Sequence, residues 1–97
     1  MATYVSLVRF TDQGIKNIKE SPSRLDQVKK LMQASGGELK AWYLAIGKYD
    51  AVVISEAPND EVVGKVLLQI GAAGNVRTET MRVFTEPEYR KVISTLP

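Results

Sequence analysis

The stretch Leu39-Lys40-Ala41-Trp42-Tyr43-Leu44-Ala45-Ile46-Gly47-Lys48-Tyr49-Asp50-Ala51-Val52-Val53-Ile54-Ser55-Glu56 decides the fold. Leu39 to Ile46 carries Trp42 and Tyr43, and Tyr49 to Glu56 carries Val52, Val53 and Ile54, the residue types that favour strands. Gly47-Lys48 between them reads as a tight connection, and so short a glycine-containing link joins two strands as an antiparallel hairpin.

Outward from this hairpin the chain reads as alternating helices and strands. Before it, Thr3 to Phe10 is a strand, and Thr11 and Asp12 offer a cap to a short helical stretch, Gln13 to Lys19, weakened by Gly14. Ser21-Pro22 reads as a helix restart with Ser21 as cap and Pro22 in first position. Leu25, Val28, Leu31 and Met32 then form one helical stripe, ended by Gly36-Gly37. After the hairpin, Pro58-Asn59-Asp60 stops the strand and caps a helix whose stripe is Val62, Val63, Val66, Leu67 and Ile70. Val76 to Phe84 is the fourth strand. Thr85-Glu86-Pro87-Glu88 matches a capping box ahead of a last helix with Tyr89, Val92, Ile93 and Leu96 at helical spacing. The order βαββαβ plus a terminal helix defines an α+β, ferredoxin-like domain over residues 1–97: a four-stranded antiparallel sheet with two helices on one face.

Composition narrows the chemistry. The 97 residues are 44% hydrophobic and 25% charged, which fits one small folded domain and not a disordered chain. Thirteen Lys and Arg against eleven Asp and Glu leave a net charge of +2, with no basic run longer than Lys29-Lys30, so no nucleic-acid footprint is expected. There is no Cys and no His. Disulfides, thiol nucleophiles, thiolate zinc sites, imidazole bases and His-ligated haem are therefore excluded. The start of the chain shows no signal-peptide pattern, and no apolar run approaches the ~20 residues that span a bilayer. A cytoplasmic protein without membrane contact is expected, with no cofactor and no metal.

The strands are apolar on both sides. Ala51 and Val53 oppose Val52 and Ile54, and Val5 and Leu7 oppose Tyr4, Val8 and Phe10. Two helices cover only one face of a sheet. The other would expose an apolar patch of a size soluble monomers avoid, so a homodimer or a multiple of one, with sheets face to face, is expected.

The tetrad Gly47-Lys48-Tyr49-Asp50 has a structural and a functional reading. In the first, Gly47 supplies an unusual backbone angle, Asp50 accepts backbone N–H groups and Tyr49 covers a core edge. In the second, the Tyr49 hydroxyl and the Asp50 carboxylate rim a pocket. With this tetrad, the runs Tyr4-Val5-Ser6-Leu7-Val8-Arg9-Phe10-Thr11, Gly14-Ile15-Lys16-Asn17-Ile18, Gly74-Asn75-Val76-Arg77-Thr78-Glu79-Thr80 and Phe84-Thr85-Glu86 resemble the GYD-domain family, small bacterial and archaeal proteins named for the hairpin motif. The resemblance covers almost the whole chain. It implies the dimeric α+β barrel arrangement, in which two ferredoxin-like units form a closed β-structure, and it implies no particular activity. A similar Gly-x-Tyr-Asp turn occurs in the ligand-binding domains of leucine-responsive-type regulators, where effectors bind near subunit interfaces.

The fourth strand places Arg77 and Glu79 on one face and Thr78, Thr80 and Arg82 on the other. Whichever row faces the inter-sheet space offers an Arg for a carboxylate or enolate, or Glu79 as a base if burial raises its pKa. The alternative is cross-strand ion pairing. Tyr4, Phe10, Trp42 and Tyr43 serve packing or form an aromatic wall for a ligand, with Ser6 and Lys40 as minor polar candidates. Gly71-Ala72-Ala73-Gly74 lies at a helix C-terminus and is no phosphate cradle.

The expected function is a homo-oligomeric module that binds a small, partly apolar carboxylate or enol between the sheets near the hairpin. The candidate site residues are Tyr49, Asp50, Arg82, Arg77, Glu79, Tyr4 and Trp42. The alternatives are a cofactor-independent oxygenase or isomerase, which the absence of His disfavours, and a structural or accessory subunit.

Overall fold

Strand β1 (Ala2–Phe10) lies at the centre of the sheet of a computed structural model that describes residues 1–97. It is followed by α1 (Asp12–Lys16), a 3-10 turn (Ile18–Glu20), α2 (Ser21–Ala34), β2 (Glu38–Leu44), β3 (Ala51–Ala57), α3 (Asp60–Ala72), β4 (Val76–Val83) and α4 (Glu86–Ser94). The four strands form one antiparallel sheet in the order β2-β3-β1-β4. This is the ferredoxin-like arrangement expected from the element order.

The register separates the two faces. On one, Tyr4 lies between Ser55 and Arg82, Ser6 between Val53 and Thr80, and Val8 between Ala51 and Thr78. Helices α2 and α3 cover this face, and Tyr4, Met32, Ala57, Val63 and Val66 make the buried cluster. On the other, Val5 lies between Ile54 and Met81, and Leu7 between Val52 and Glu79. No helix of the chain covers it, and Met81 keeps 47% of its surface exposed. The shortest principal dimension, 18 Å, fits these two layers. No helix is long and apolar enough to cross a membrane.

Several local expectations change. The connection after β2 is not a two-residue turn at Gly47-Lys48: β3 starts at Ala51, and residues 45–50 form a wider loop. Its closure explains why. The Ala45 N–H donates to the Asp50 carbonyl at 2.9 Å, while the Asp50 N–H donates to the Val8 carbonyl at 2.8 Å. Asp50 is thus tied to β1, and the chain cannot turn back sooner. Ser21 does not cap α2 by its side chain. It is the first helical residue, because the 3-10 turn leads straight into α2 through Glu20, and Pro22 sits in the first turn. Caps on the other helices form as read: Thr11 accepts from the Gly14 N–H, and Asn59 accepts from the Val62 N–H. Thr85 and Glu88 make the reciprocal capping box. The hydrogen bond from the Thr85 backbone N–H holds the Glu88 carboxyl below its ordinary pKa.

Gly14 has a role beyond weakening α1. The Thr11 N–H donates to the Asn75 carbonyl at 3.1 Å and the Thr11 hydroxyl donates to the Gly74 carbonyl at 2.6 Å, which draws α1 onto the α3–β4 connection. A Cβ on Gly14 would lie 2.0 Å from the Asn75 carbonyl oxygen. Gly64, inside α3, has open space where a Cβ would stand. Gly14→Ala should therefore lower unfolding free energy by about 1–3 kcal/mol through overpacking against backbone. Gly64→Ala should raise it by about 0.5–1 kcal/mol, since alanine loses less backbone entropy in a helix. Urea denaturation of the two variants beside the parent checks both signs.

Candidate functional site

The register divides the seven candidate residues between opposite faces and the loop. Arg77 and Glu79 lie on the uncovered face with Leu7 and Arg9 of β1. Period-two alternation carries Arg9 there after Val5 and Leu7, and the antiparallel register sets it directly opposite Arg77. Two like charges so placed repel unless other groups intervene. The hairpin loop supplies them. The Arg9 guanidinium stacks 4.8 Å from the centre of the Tyr49 ring, and the Tyr49 hydroxyl donates to Glu79 Oε2 at 2.9 Å. Lys48 approaches the same ring at 5.7 Å. Arg9, Tyr49, Glu79 and Arg77 therefore form one polar cluster at the hairpin end of an otherwise apolar face. Sequence reasoning misses Arg9 and Lys48 as members of this cluster. The strand period and the β1–β4 pairing are the signal that adds Arg9.

The hydrogen bond to Glu79 raises the Tyr49 pKa above the ordinary tyrosine value, with desolvation adding to it. The phenol is thus a hydrogen-bond donor and not a phenolate nucleophile. Glu79 is exposed, so the burial that would make it a base is missing in the single chain.

Asp50 lies apart from that chemistry. Its carboxylate accepts the Phe10 N–H at 2.8 Å and so completes the end of β1, which matches its structural reading. Gly47 has φ +129°, a backbone angle that side-chain-bearing residues rarely adopt.

Tyr4, Trp42 and Arg82 belong to the helix-covered face. The expectation that they join Tyr49 around one inter-sheet pocket is corrected on this point: the alternation of β1, β2 and β4 sends them to the other side of the sheet. Tyr4 is buried and its hydroxyl donates to Asp60 Oδ1 at the start of α3. That bond first, and burial second, push its pKa up. Arg82 lies over the Phe84 ring at 4.4 Å and reaches Glu88 at 3.9 Å, tying β4 to α4. Trp42 lines a largely apolar cleft of about 120 Å³ between α2, α3 and the sheet, together with Phe10, Val28, Val53 and Ile70. The hydroxyls of Ser6 and Thr80 meet at 2.8 Å and so pair with each other on that side of the sheet. Lys40 sits at the β2 edge, 3.5 Å from Glu38 and 3.6 Å from Glu56, in exposed ion pairs. No group of three or more carboxylates converges to hold a metal.

A ferredoxin-like α+β domain with one naked sheet face and a polar cluster at its hairpin end is the class of protein these features define. Within that class the chain belongs to the GYD domain family, whose model matches residues 4–93. It is 29% identical over 82 residues to the glutamine synthetase and cystathionine beta-lyase binding protein of Thermus thermophilus, covering 84% of this chain and 86% of that one. Among solved structures it resembles the feast or famine regulatory protein of M. tuberculosis complexed with L-methionine, with TM-score 0.66 and 15% identity, over 88% of this chain and 51% of that chain. The chain thus spans about half the length of that regulator. It also resembles a solved protein of Thermus thermophilus with TM-score 0.56 and 23% identity, over 88% of this chain and 95% of that one. At these identities the two structures share the fold alone.

Two outcomes are expected. Gly47→Val should destabilise the protein by about 1–3 kcal/mol, read by thermal or chemical denaturation, because its backbone angle penalises a β-branched residue. The Tyr4 phenol, followed by phenolate absorbance, should titrate above the ordinary value of about 10. The folded state holds the proton more tightly than the unfolded chain does. The stabilisation is therefore complete below the unfolded pKa and is lost as pH rises through the folded one. Asp60→Asn should remove most of this alkaline linkage.

Proposed function

We propose that the protein is a homo-oligomeric binding module whose naked sheet face packs against the same face of a second copy. The observation that carries this reading is the block formed by Val5, Leu7, Val52, Ile54 and Met81, apolar side chains that adjoin one another with no element of the chain above them. Burying such a block is favourable by about 25 cal/mol per Å² of apolar area removed from water. Its surroundings carry both signs: Arg9, Arg77 and Glu79 at the hairpin end, Lys40, Glu38 and Glu56 at the β2 edge. A two-fold interface needs that self-complementarity.

Pairing of the faces would place Tyr49, Glu79, Arg77 and Arg9 at the mouth of the inter-sheet space. An acidic small metabolite entering there meets two guanidiniums, which suit a carboxylate. Binding is favoured over catalysis because the donor set orients a guest and lacks a buried base. A second reading, an accessory subunit that docks on enzymes of amino-acid metabolism, draws support from the similarity to the Thermus binding protein. Co-elution with a purified glutamine synthetase separates it from the first.

Light scattering should give the parent protein a mass of two protomers or a multiple of two at micromolar concentration. Val52→Asp, which puts a charge beside Leu7, should yield monomer or aggregate, since an unpaired buried charge costs several kcal/mol. A stable monomeric parent overturns the reading.

A further inference from the structure

The cleft between the helices and the sheet lies on the face opposite the proposed oligomer interface, and it differs from a plain packing gap in one respect. Its walls are mainly apolar, with the small hydroxyls of Ser6, Ser55 and Thr78 on the sheet and of Ser21 on α2, and Arg24 of α2 is the one charged side chain in the lining. The Arg24 guanidinium is anchored by two backbone carbonyls, that of Asn17 at 2.9 Å and that of Gly14 at 3.5 Å. Carbonyls fix its position without neutralising its charge. Arg24 takes part in none of the ion pairs of the structure, which join Lys40 to Glu38 and Glu56, Arg82 to Glu88 and Arg90 to Glu86. A guanidinium has five N–H donors, so donors as well as charge are left over at the lip of the cleft.

The space is about 120 Å³. A cavity of roughly 150 Å³ takes up a benzene-sized guest, so this one suits a body slightly smaller. One wall is the sheet, where Trp42 of β2 stands beside Val53 of β3 in register. The other is the helix layer, with Leu25 and Val28 of α2 and Leu67 and Ile70 of α3. A guest that satisfies both parts has a short branched or cyclic apolar tail and one carboxylate.

We propose that this cleft is a second ligand site, which takes a small apolar carboxylate with its tail against Trp42, Val28 and Val53 and its charge on Arg24. The site lies within one protomer and does not depend on the paired sheet faces. Its guest sits between α2 and the sheet, so occupancy braces the helix layer against β2 and β3.

Trp42 is the one tryptophan of the chain, so intrinsic fluorescence reports on the cleft directly. Isovalerate titrated into the full-length protein should change the Trp42 emission saturably at millimolar concentration or below. Isovaleramide, equal in shape and uncharged, should bind about tenfold more weakly or worse, as expected on losing a charge-assisted hydrogen bond. Arg24→Gln should reduce affinity for the acid by a similar factor and leave affinity for the amide unchanged. Val28→Phe, which fills the cleft, should abolish both. The absence of any saturable change with isovalerate overturns the proposal, as does equal affinity of the parent protein for acid and amide. The acid–amide comparison needs no variant, so it decides the matter even where a substitution prevents folding. Light scattering of the same samples reports the oligomer separately, and either reading can fail while the other stands.

Discussion

Strand β1 is the constraint on which everything else in this protein rests. It is central in the sheet, and its side chains alternate with a period of two, so every second residue must find cover on opposite sides. Tyr4, Ser6 and Val8 find it under α2 and α3 and are buried. Val5 and Leu7 find only their neighbours Ile54, Met81 and Val52. With two helices long enough to lie across the sheet and both on one side, the chain solves half of its burial problem by itself. The other half is left open on the uncovered face.

The hairpin illustrates how one residue can settle a site by being occupied elsewhere. Asp50 is committed to the backbone of β1, where its carboxylate closes the strand end at Phe10 and its own N–H meets Val8. This holds the loop of residues 45–50 over the end of the uncovered face and brings Tyr49 to Glu79. The ring of Tyr49 then takes Arg9 by stacking, which eases the apposition of Arg9 and Arg77 across β1 and β4. The glycine, the tyrosine and the aspartate of the motif thus do three different jobs: backbone angle, polar contact and strand termination.

The helix-covered face is organised by different means. The Tyr4 hydroxyl, half-buried at the start of α3, is answered by Asp60 in the first turn of that helix, where a carboxylate also complements the helix dipole. Between α2 and the sheet the side chains leave a cleft with Trp42 on one wall and Arg24 at its lip. The first turn of α1 helps to shape that lip, since Gly14 supplies one carbonyl to Arg24 and also allows the close approach to Asn75. α4 stands apart, with Tyr89, Val92 and Ile93 exposed and the contact between Arg82 and Glu88 as its tie to the sheet.

The sequence by itself determined the order of elements, the antiparallel hairpin, the helix caps at Thr11, Asn59 and Thr85, and the presence of apolar residues on both faces of β1 and β3. These are local properties: a strand period, a capping side chain or a glycine after a helix depends on residues a few positions apart. The absence of His and Cys likewise bounds the chemistry without any folding. Tertiary structure decided which candidates meet. Residues 49, 77, 79 and 9 are far apart in sequence, and only the β1–β4 register with the reach of the hairpin loop unites them. The same register sends Tyr4, Trp42 and Arg82 to the opposite face, because the parity of a position along a strand acquires a direction only once helices occupy one side of the sheet.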